Sequence, residues 1–269
     1  MILITGATGN LGSSVIAQLQ TKLRNEEFVV TSSNAEGMKS LTEKGLNARF
    51  ANFSDADSLN GAFEGVSKVL LISTMEQNRF EQHKNVVDAA VEQGVKHIYY
   101  TGLSVQNIET SAVKDLMISH FQTEDYIKER GLTFTFLRNS MYADALVQIL
   151  GPAALEKNIE LPGGNGNVPY ALRREMGEGI ANALLTDGHD NKTYDITGGE
   201  NYNYVDVAKE LSELTGKEIA YTDVDEAAFA NVLKQIGFPD FLIYLHAGTI
   251  KDIKEGQYET ATGTLAELL

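Results

Sequence analysis

Three glycines near the start of the chain carry the clearest chemistry. Gly6, Gly9 and Gly12 in ITGATGNLG follow an apolar run at Ile2 to Thr5 and precede a helical pattern that begins at Leu11. Between a strand and a helix, glycines at this spacing permit a tight turn, let the backbone approach a diphosphate and let the helix pack closely on the strand. The helix adds free N–H groups and the positive end of its dipole. A bound diphosphate is the expected ligand; a glycine turn without a ligand is the plain alternative. The other common phosphate loop is excluded, because no G-K-[ST] follows. Sulfur chemistry is excluded too, since the 269 residues include no cysteine. His83, His97, His120, His189 and His246 lack the spacing of metal ligands and no H-E-x-x-H occurs, so no metal is expected.

A loop of this kind works only if a sheet holds it. Short β-branched runs at Ile2 to Thr5, Phe28 to Ser32, Ala48 to Phe53, Lys68 to Ser73, His97 to Thr101 and Thr133 to Arg138 predict strands. Amphipathic stretches at Leu11 to Leu23, Ala35 to Lys44, Ala56 to Phe63, Phe80 to Gln93 and Lys114 to Arg130 predict helices between them, several ending on a glycine such as Gly45, Gly94 or Gly131. Continuous apolar strands in βαβ order predict an α/β fold, a Rossmann-type doubly wound parallel sheet with helices on both faces. After Arg138 the rhythm loosens. A helix at Met141 to Leu150 and a turn-rich stretch at Leu161 to Pro169 lead into a helix at Arg173 to Leu185, a strand at Lys192 to Thr197, a helix at Tyr204 to Thr215, a strand at Glu218 to Val224 and further helices. The expected division is a dinucleotide-binding domain over residues 1–150 and a smaller α+β substrate-side lobe over 151–269, partly interleaved with it. A cleft between them would lie beyond the carboxyl ends of the strands.

Composition narrows the partners. There are 22 Lys+Arg against 37 Asp+Glu, a formal charge of −15, and no cationic run longer than Arg173 and Arg174. Binding to a phosphate backbone needs clustered cations, so nucleic acid is not an expected direct ligand. No apolar stretch approaches the ~20 residues of a membrane span. MILITGATG has neither the basic flank nor the cleavage site of a signal peptide. A soluble cytoplasmic protein is expected, and nothing in the sequence sets its oligomeric state.

The TGATG loop at the N-terminus resembles the atypical branch of the short-chain dehydrogenase/reductase superfamily. GVSKVLLIS at Gly65 to Ser73, HKNVVDAAVEQGVKHIYYTG at His83 to Gly102, H-x-x-T-E at His120 to Glu124, TFLRNSMYAD at Thr135 to Asp144 and GHDNKTYDITG at Gly188 to Gly198 are similar to the NmrA-like group. Within that group they look closest to NAD(P)H:quinone oxidoreductases and triphenylmethane reductases. The likeness covers essentially the whole chain, and a truncated C-terminus is expected because such proteins usually continue for a short segment beyond LAELL.

By this resemblance Gly6, Ala7, Thr8, Gly9, Asn10 and Leu11 hold the cofactor diphosphate, and Ser73 and Thr74 line the ribose. Ser73 as a simple strand cap is the other reading. Asn52 stands where relatives have an aspartate facing the adenine. Asn139 and Tyr142 match the nicotinamide-side motif, Tyr170 matches another cofactor-proximal position, and His120 would orient or protonate a substrate. Core packing remains the alternative for Tyr142, and a structural role the alternative for His120. An arginine that relatives carry after the second strand is replaced here by Ser32, Ser33 and Asn34. No carboxylate takes its place, so the resemblance implies NADP(H) as slightly favoured, with NAD(H) also used, and neither flavin nor metal.

Typical members of the superfamily use a Tyr-x-x-x-Lys pair as acid and base. None of the 11 tyrosines here has a lysine four positions on. Alcohol oxidation and sugar epimerisation need that pair. The expected activity is instead hydride transfer to a quinone-like, electron-poor small molecule, in which positioning is the main contribution of the protein. The alternative is a non-catalytic dinucleotide-binding redox sensor that acts through a protein partner.

Overall fold

The computed structural model describes residues 1–150, 152–155 and 158–269. Its first part alternates β1 (Ile2–Ile4), α1 (Asn10–Leu19), β2 (Phe28–Ser32), α2 (Ala35–Glu43), β3 (Ala48–Phe50), α3 (Ala56–Phe63), β4 (Lys68–Ile72), α4 (Arg79–Glu92), β5 (His97–Leu103), α5 (Lys114–Glu129) and β6 (Thr133–Asn139). The rest runs through α6 (Leu146–Leu150), β7 (Ile159–Leu161), α7 (Arg173–Leu185), β8 (Lys192–Ile196), α8 (Tyr204–Thr215), β9 (Tyr221–Asp223), α9 (Glu226–Gln235), α10 (Asp240–Lys254) and α11 (Thr264–Leu268). Seven strands form one sheet in the order β3-β2-β1-β4-β5-β6-β8. Every pairing in it is parallel. The chain reverses direction across the sheet between β1 and β4, which is where ligands of such sheets bind.

Alternation along each strand explains the two layers. Ile4, Phe28, Val30, Leu70, Tyr99 and Leu137 point to one face, where they meet α1, α7 and α11. Leu3, Val29, Val69, Leu71, Ile98, Tyr100 and Phe136 point to the other, against α3, α4 and α5. Strands with apolar side chains on both faces read as continuous hydrophobic runs, the signal that predicted them.

The differences from the sequence reading lie where hydrogen bonds outside the sheet compete. The third strand stops at Phe50 and not at Phe53, because Asn52 turns the chain by accepting the Ser54 amide at 2.9 Å. The helix expected at Met141 to Leu150 is interrupted: Tyr142 bridges to Ala171, a 3₁₀ turn covers Ala143–Ala145, and α-helix occupies only Leu146–Leu150. The strand expected at Glu218 to Val224 shrinks to Tyr221–Asp223 and pairs with β7, for which no strand was expected. β8 joins the main sheet beside β6 although it follows the turn-rich stretch. The expected lobe boundary, between residues 150 and 151, adjoins Gly151, which lies outside the described residues.

A third core forms from β7, α8 and α10 and takes in Leu103 and Met141, so it reaches the carboxyl ends of β5 and β6. α10 is fixed there by Asp252, fully buried, which accepts the Ser111 hydroxyl and the Ala112 amide.

α7 lies so close on α1 that a Cβ on Gly177 would stand 2.6 Å from Ser14 Cβ and 2.9 Å from the Val15 amide nitrogen. Gly177→Ala is therefore expected to lose ~1–3 kcal/mol by overpacking. Gly61→Ala in α3, where a Cβ meets open space, is expected to gain up to ~1 kcal/mol from helix propensity. Thermal melting of the two variants checks the contrast.

Candidate functional site

The glycine loop is tied down from below. Thr5 Oγ1 donates to the Leu70 carbonyl at 3.1 Å and accepts the Ile72 amide at 2.9 Å, which locks the end of β1 to β4. Gly6 adopts a φ of +61°, the left-handed conformation that side chains rarely take, and its carbonyl accepts the Gly9 amide. α1 then starts with Gly9 as its cap, and Ser13 makes the first bond back to the Gly9 carbonyl. The amides of Asn10, Leu11 and Gly12 are left without an intrahelical acceptor, the geometry that receives an anion. A Cβ on Gly12 would lie 2.2 Å from the Gly6 carbonyl oxygen, whereas one on Gly9 would meet only that oxygen, at 3.3 Å. Gly12 thus serves the packing, and Gly9 faces the open side.

That open side is a cleft of about 360 Å³ across the ends of β1, β2, β3 and β4. Gly6, Thr8, Gly9, Ser33, Asn52, Ser73 and Thr74 all line it. The leucine side chain at 11 does not join them; it is buried in the core below, as is Ala7, so both can offer only backbone. Ser73 Oγ accepts from Thr101 at 3.4 Å, and Thr74 Oγ1 donates to Gln82 at 3.1 Å. Asn34 caps α2 by accepting the Gly37 amide at 2.8 Å, which leaves Ser33 as the free hydroxyl at the end of β2. Two wall residues, Glu76 and Gln82, were not anticipated. They sit in and just after the β4–α4 loop, and no spacing rule marks them. Among the described residues no lysine or arginine lines the cleft, and Glu76 does.

Across the sheet, the end of β6 gathers Asn139, Ser140 and Tyr142. Asn139 Oδ1 and Ser140 Oγ are buried with no hydrogen-bond partner among the described residues, an arrangement that costs folding energy unless a ligand or water completes it. Asn139 Nδ2 donates to Tyr142 Oη at 3.4 Å, so the phenol keeps its own proton free to donate. Burial raises the Tyr142 pKa. The Arg173 guanidinium stacks 4.2 Å from the ring centroid and is itself held by Asp144 at 2.7 Å. Tyr170 lies apart from this group, in an apolar groove with Leu146 and Leu211.

His120 is not brought to the cleft. It is 6% exposed on the inner face of α5, and its Nδ1 pairs with the Tyr100 hydroxyl at 2.8 Å. Burial first, then the nearby Arg79 charge, push its pKa well below the ordinary 6.5. The other residues of H-x-x-T-E have matching partners: Thr123 meets His83 at 3.1 Å, and Glu124 takes Arg138 through two bonds of 2.9 and 2.6 Å. The motif bolts α5 to the sheet and to α4.

A parallel sheet of this order, with a glycine loop at its switch point and a cleft over the neighbouring strand ends, defines the Rossmann class of nucleotide-binding folds. Within that class the chain belongs to the NmrA-like family, whose profile matches residues 1–255. It is 34% identical to quinone oxidoreductase 2 of Escherichia coli K12 over 271 residues, covering 100% of this chain and 93% of that one. The crystal structure of the Escherichia coli NADPH-dependent quinone oxidoreductase complexed with NADPH superposes with a TM-score of 0.92 at 34% identity, covering 100% of this chain and 94% of that one. Citrobacter sp. triphenylmethane reductase complexed with NADP(H) also gives 0.92, at 32% identity with the same coverage. No helix among the described residues is long and apolar enough to cross a membrane.

Two outcomes are expected from this geometry. Gly9→Val, at a φ of −80° and ψ of 165° that valine accepts, is expected to keep the fold while losing dinucleotide binding; Gly12→Ala is expected to lower the melting temperature. Calorimetric titration with the dinucleotide and thermal melting separate the two. The second outcome concerns acid. Burial lowers the His83 pKa from 6.5 to about 3, so below pH 6.5 the unfolded chain takes up a proton that the folded chain refuses. Stability from this group is full above pH 6.5 and falls as pH drops towards 3. The slope of melting temperature against pH in that window is expected to be shallower in His83→Gln.

Proposed function

We propose that the chain is an NAD(P)H-dependent oxidoreductase that delivers a hydride to a quinone or a similar electron-poor conjugated acceptor, without a tyrosine–lysine acid–base pair. The observation that carries this is the pair of unpartnered buried atoms, Asn139 Oδ1 and Ser140 Oγ, at the strand end across the sheet from a cleft floored by the glycine loop. A dinucleotide laid over the strand ends would run towards the strand end that carries both, and the relatives that match along the whole chain are reductases of this kind.

The residues present fit the cofactor. The Gly6 to Leu11 backbone and the first amides of α1 would hold the diphosphate, Ser73 and Thr74 the ribose, and Asn52 the adenine edge with the lone pair that the Ser54 amide leaves free. When bound, the reduced nicotinamide supplies the hydride. Asn139 orients Tyr142 by its bond to Oη, and the Tyr142 hydroxyl, kept protonated by burial, donates a hydrogen bond to the acceptor. His120, neutral and engaged with Tyr100, supports the wall and stays out of the chemistry.

Cofactor choice follows from the end of β2. With Ser33 where relatives carry arginine, NADPH loses a charge-assisted bond worth roughly 1.5–3 kcal/mol, yet no acid stands there to hold a 2′-hydroxyl or repel a phosphate. Use of both cofactors with a slight NADPH preference is the resulting proposal.

The test is absorbance at the nicotinamide band with purified protein, benzoquinone or naphthoquinone acceptors and no added flavin. Turnover is expected, and Asn139→Ala is expected to lower kcat at least tenfold with little change in melting temperature. Binding of the reduced cofactor without turnover on quinones, dyes and enones would overturn the reading in favour of a redox sensor. Ser33→Arg is expected to move the ratio of kcat/KM values further towards NADPH.

A further inference from the structure

A second cavity, of about 190 Å³, lies between the segment after β6 and α10. Met141 and Ile149 wall it on one side, and Ile250 and Ile253 on the other, with His246 and Thr249 as its polar members. Met141 is two residues beyond Asn139, so the cavity adjoins the strand end where the unpartnered amide and hydroxyl oxygens sit. Its far wall cannot collapse inwards easily, because α10 is held by Asp252 and by the close approach of Gly248, where a Cβ would lie 2.6 Å from Val113 Cγ1. An apolar cavity of ~150 Å³ is known to admit benzene, so this one has room for a single substituted ring.

His246 is the titratable group in this wall. Its ring packs edge-on against Phe238 with centroids 5.7 Å apart, and among the described residues neither ring nitrogen has a hydrogen-bond partner. Burial alone lowers its pKa, with no charged neighbour contributing. At neutral pH the ring is therefore mostly uncharged, with one N–H to donate and no intramolecular acceptor for it. Half-buried at the edge of an otherwise apolar pocket, the ring can turn this donor to a small ligand, whose orientation such a group fixes.

We propose that this cavity receives the ring of the acceptor and that a ring N–H of His246 donates a hydrogen bond to the acceptor oxygen that becomes negative during reduction. The proposal rests on the oxidoreductase reading above and names the acceptor class as small, one-ring quinones or enones with an oxygen in reach of α10. The balance is that of NAD(P)H, quinone and one proton giving NAD(P)⁺ and hydroquinone. The quinone takes up the hydride with its electron pair, one carbonyl oxygen becomes an oxyanion, and a proton from water completes the product. His246 loses no proton; it stabilises the charge as it develops on the acceptor oxygen.

Binding and turnover are read separately. The chain has 11 tyrosines and no tryptophan, so quenching of tyrosine fluorescence by methyl-substituted benzoquinone reports binding without any nicotinamide cofactor present. Thr249→Phe, or Ile149→Phe from the opposite wall, is expected to weaken that binding at least tenfold while calorimetric affinity for the dinucleotide stays unchanged. His246→Phe keeps an aromatic ring against Phe238 and removes the donor; its kcat is expected to fall about ten- to a hundredfold with an unchanged melting temperature and dinucleotide affinity. Partial recovery is expected in His246→Gln, which restores an N–H. Quinone binding unaffected by both filling variants, or a kcat of His246→Phe within twofold of the parent, overturns the proposal. If the parent protein binds quinone in a way that filling abolishes, yet reduces no acceptor, the oxidoreductase reading fails while the cavity assignment stands.

Discussion

The site depends on how closely α1 approaches the end of β1. Gly12 leaves no room for a Cβ against the Gly6 carbonyl, and Gly177 leaves none against Ser14, so α1 is in backbone contact both with the end of β1 and with α7 beside it on the same face of the sheet. This closeness aims the first amides of α1 at the strand ends, and it also forces Gly6 into a left-handed turn that only glycine adopts cheaply. A helix one side-chain radius further out would present the same dipole but could not share a ligand with β2 and β4. The direction of these amides is a consequence of packing as much as of sequence.

Much of the frame was legible because both faces of the sheet are covered. Runs such as Phe28–Ser32 and Lys68–Ile72 are buried on both sides, which leaves a continuous apolar signature that periodicity can read. β7 escaped that reading, and β9 was expected as the longer run Glu218 to Val224. They are three residues each and pair only with one another, so their ends are set by tertiary contacts such as the Tyr221 hydroxyl donating to the Leu161 carbonyl at 3.0 Å. The segment after β6 misled for a related reason: its spacing fits a helix, but Tyr142 is drawn into a bridge with Ala171 and the helix starts only at Leu146.

That Gly6, Gly9, Asn52, Ser73 and Thr74 would share one cleft wall was legible, since position at a carboxyl edge follows directly from strand order. Side-chain direction was not. His120 shares a helix with Ser119, Thr123 and Glu124, and all four turn inwards to polar partners that hold α5 to its neighbours. Residue types suited to catalysis are equally suited to joining buried helices, and only burial tells them apart. Glu76 and Gln82 show the converse. Nothing in their spacing marks them, and the loop after β4 and the first turn of α4 carry them to the cleft wall.

That loop is shaped from beneath by Arg79. The guanidinium is fully buried and donates to the Thr74 carbonyl, the Leu116 carbonyl and the Ser119 hydroxyl, with Met75 sulfur at 3.8 Å. No carboxylate pairs with it among these contacts; a buried cation is instead dispersed over neutral oxygens, and its own pKa is lowered by the burial. Its charge adds to burial in keeping His83 and His120 neutral, so the layer under the cleft holds one fixed positive charge and two imidazoles that refuse another. The Thr74 carbonyl is turned down into this layer while its hydroxyl faces the cleft beside Ser73. One buried arginine thus sets the backbone that presents the Ser73 and Thr74 side chains to the cleft, and its charge adds to the burial that keeps the histidines around it neutral.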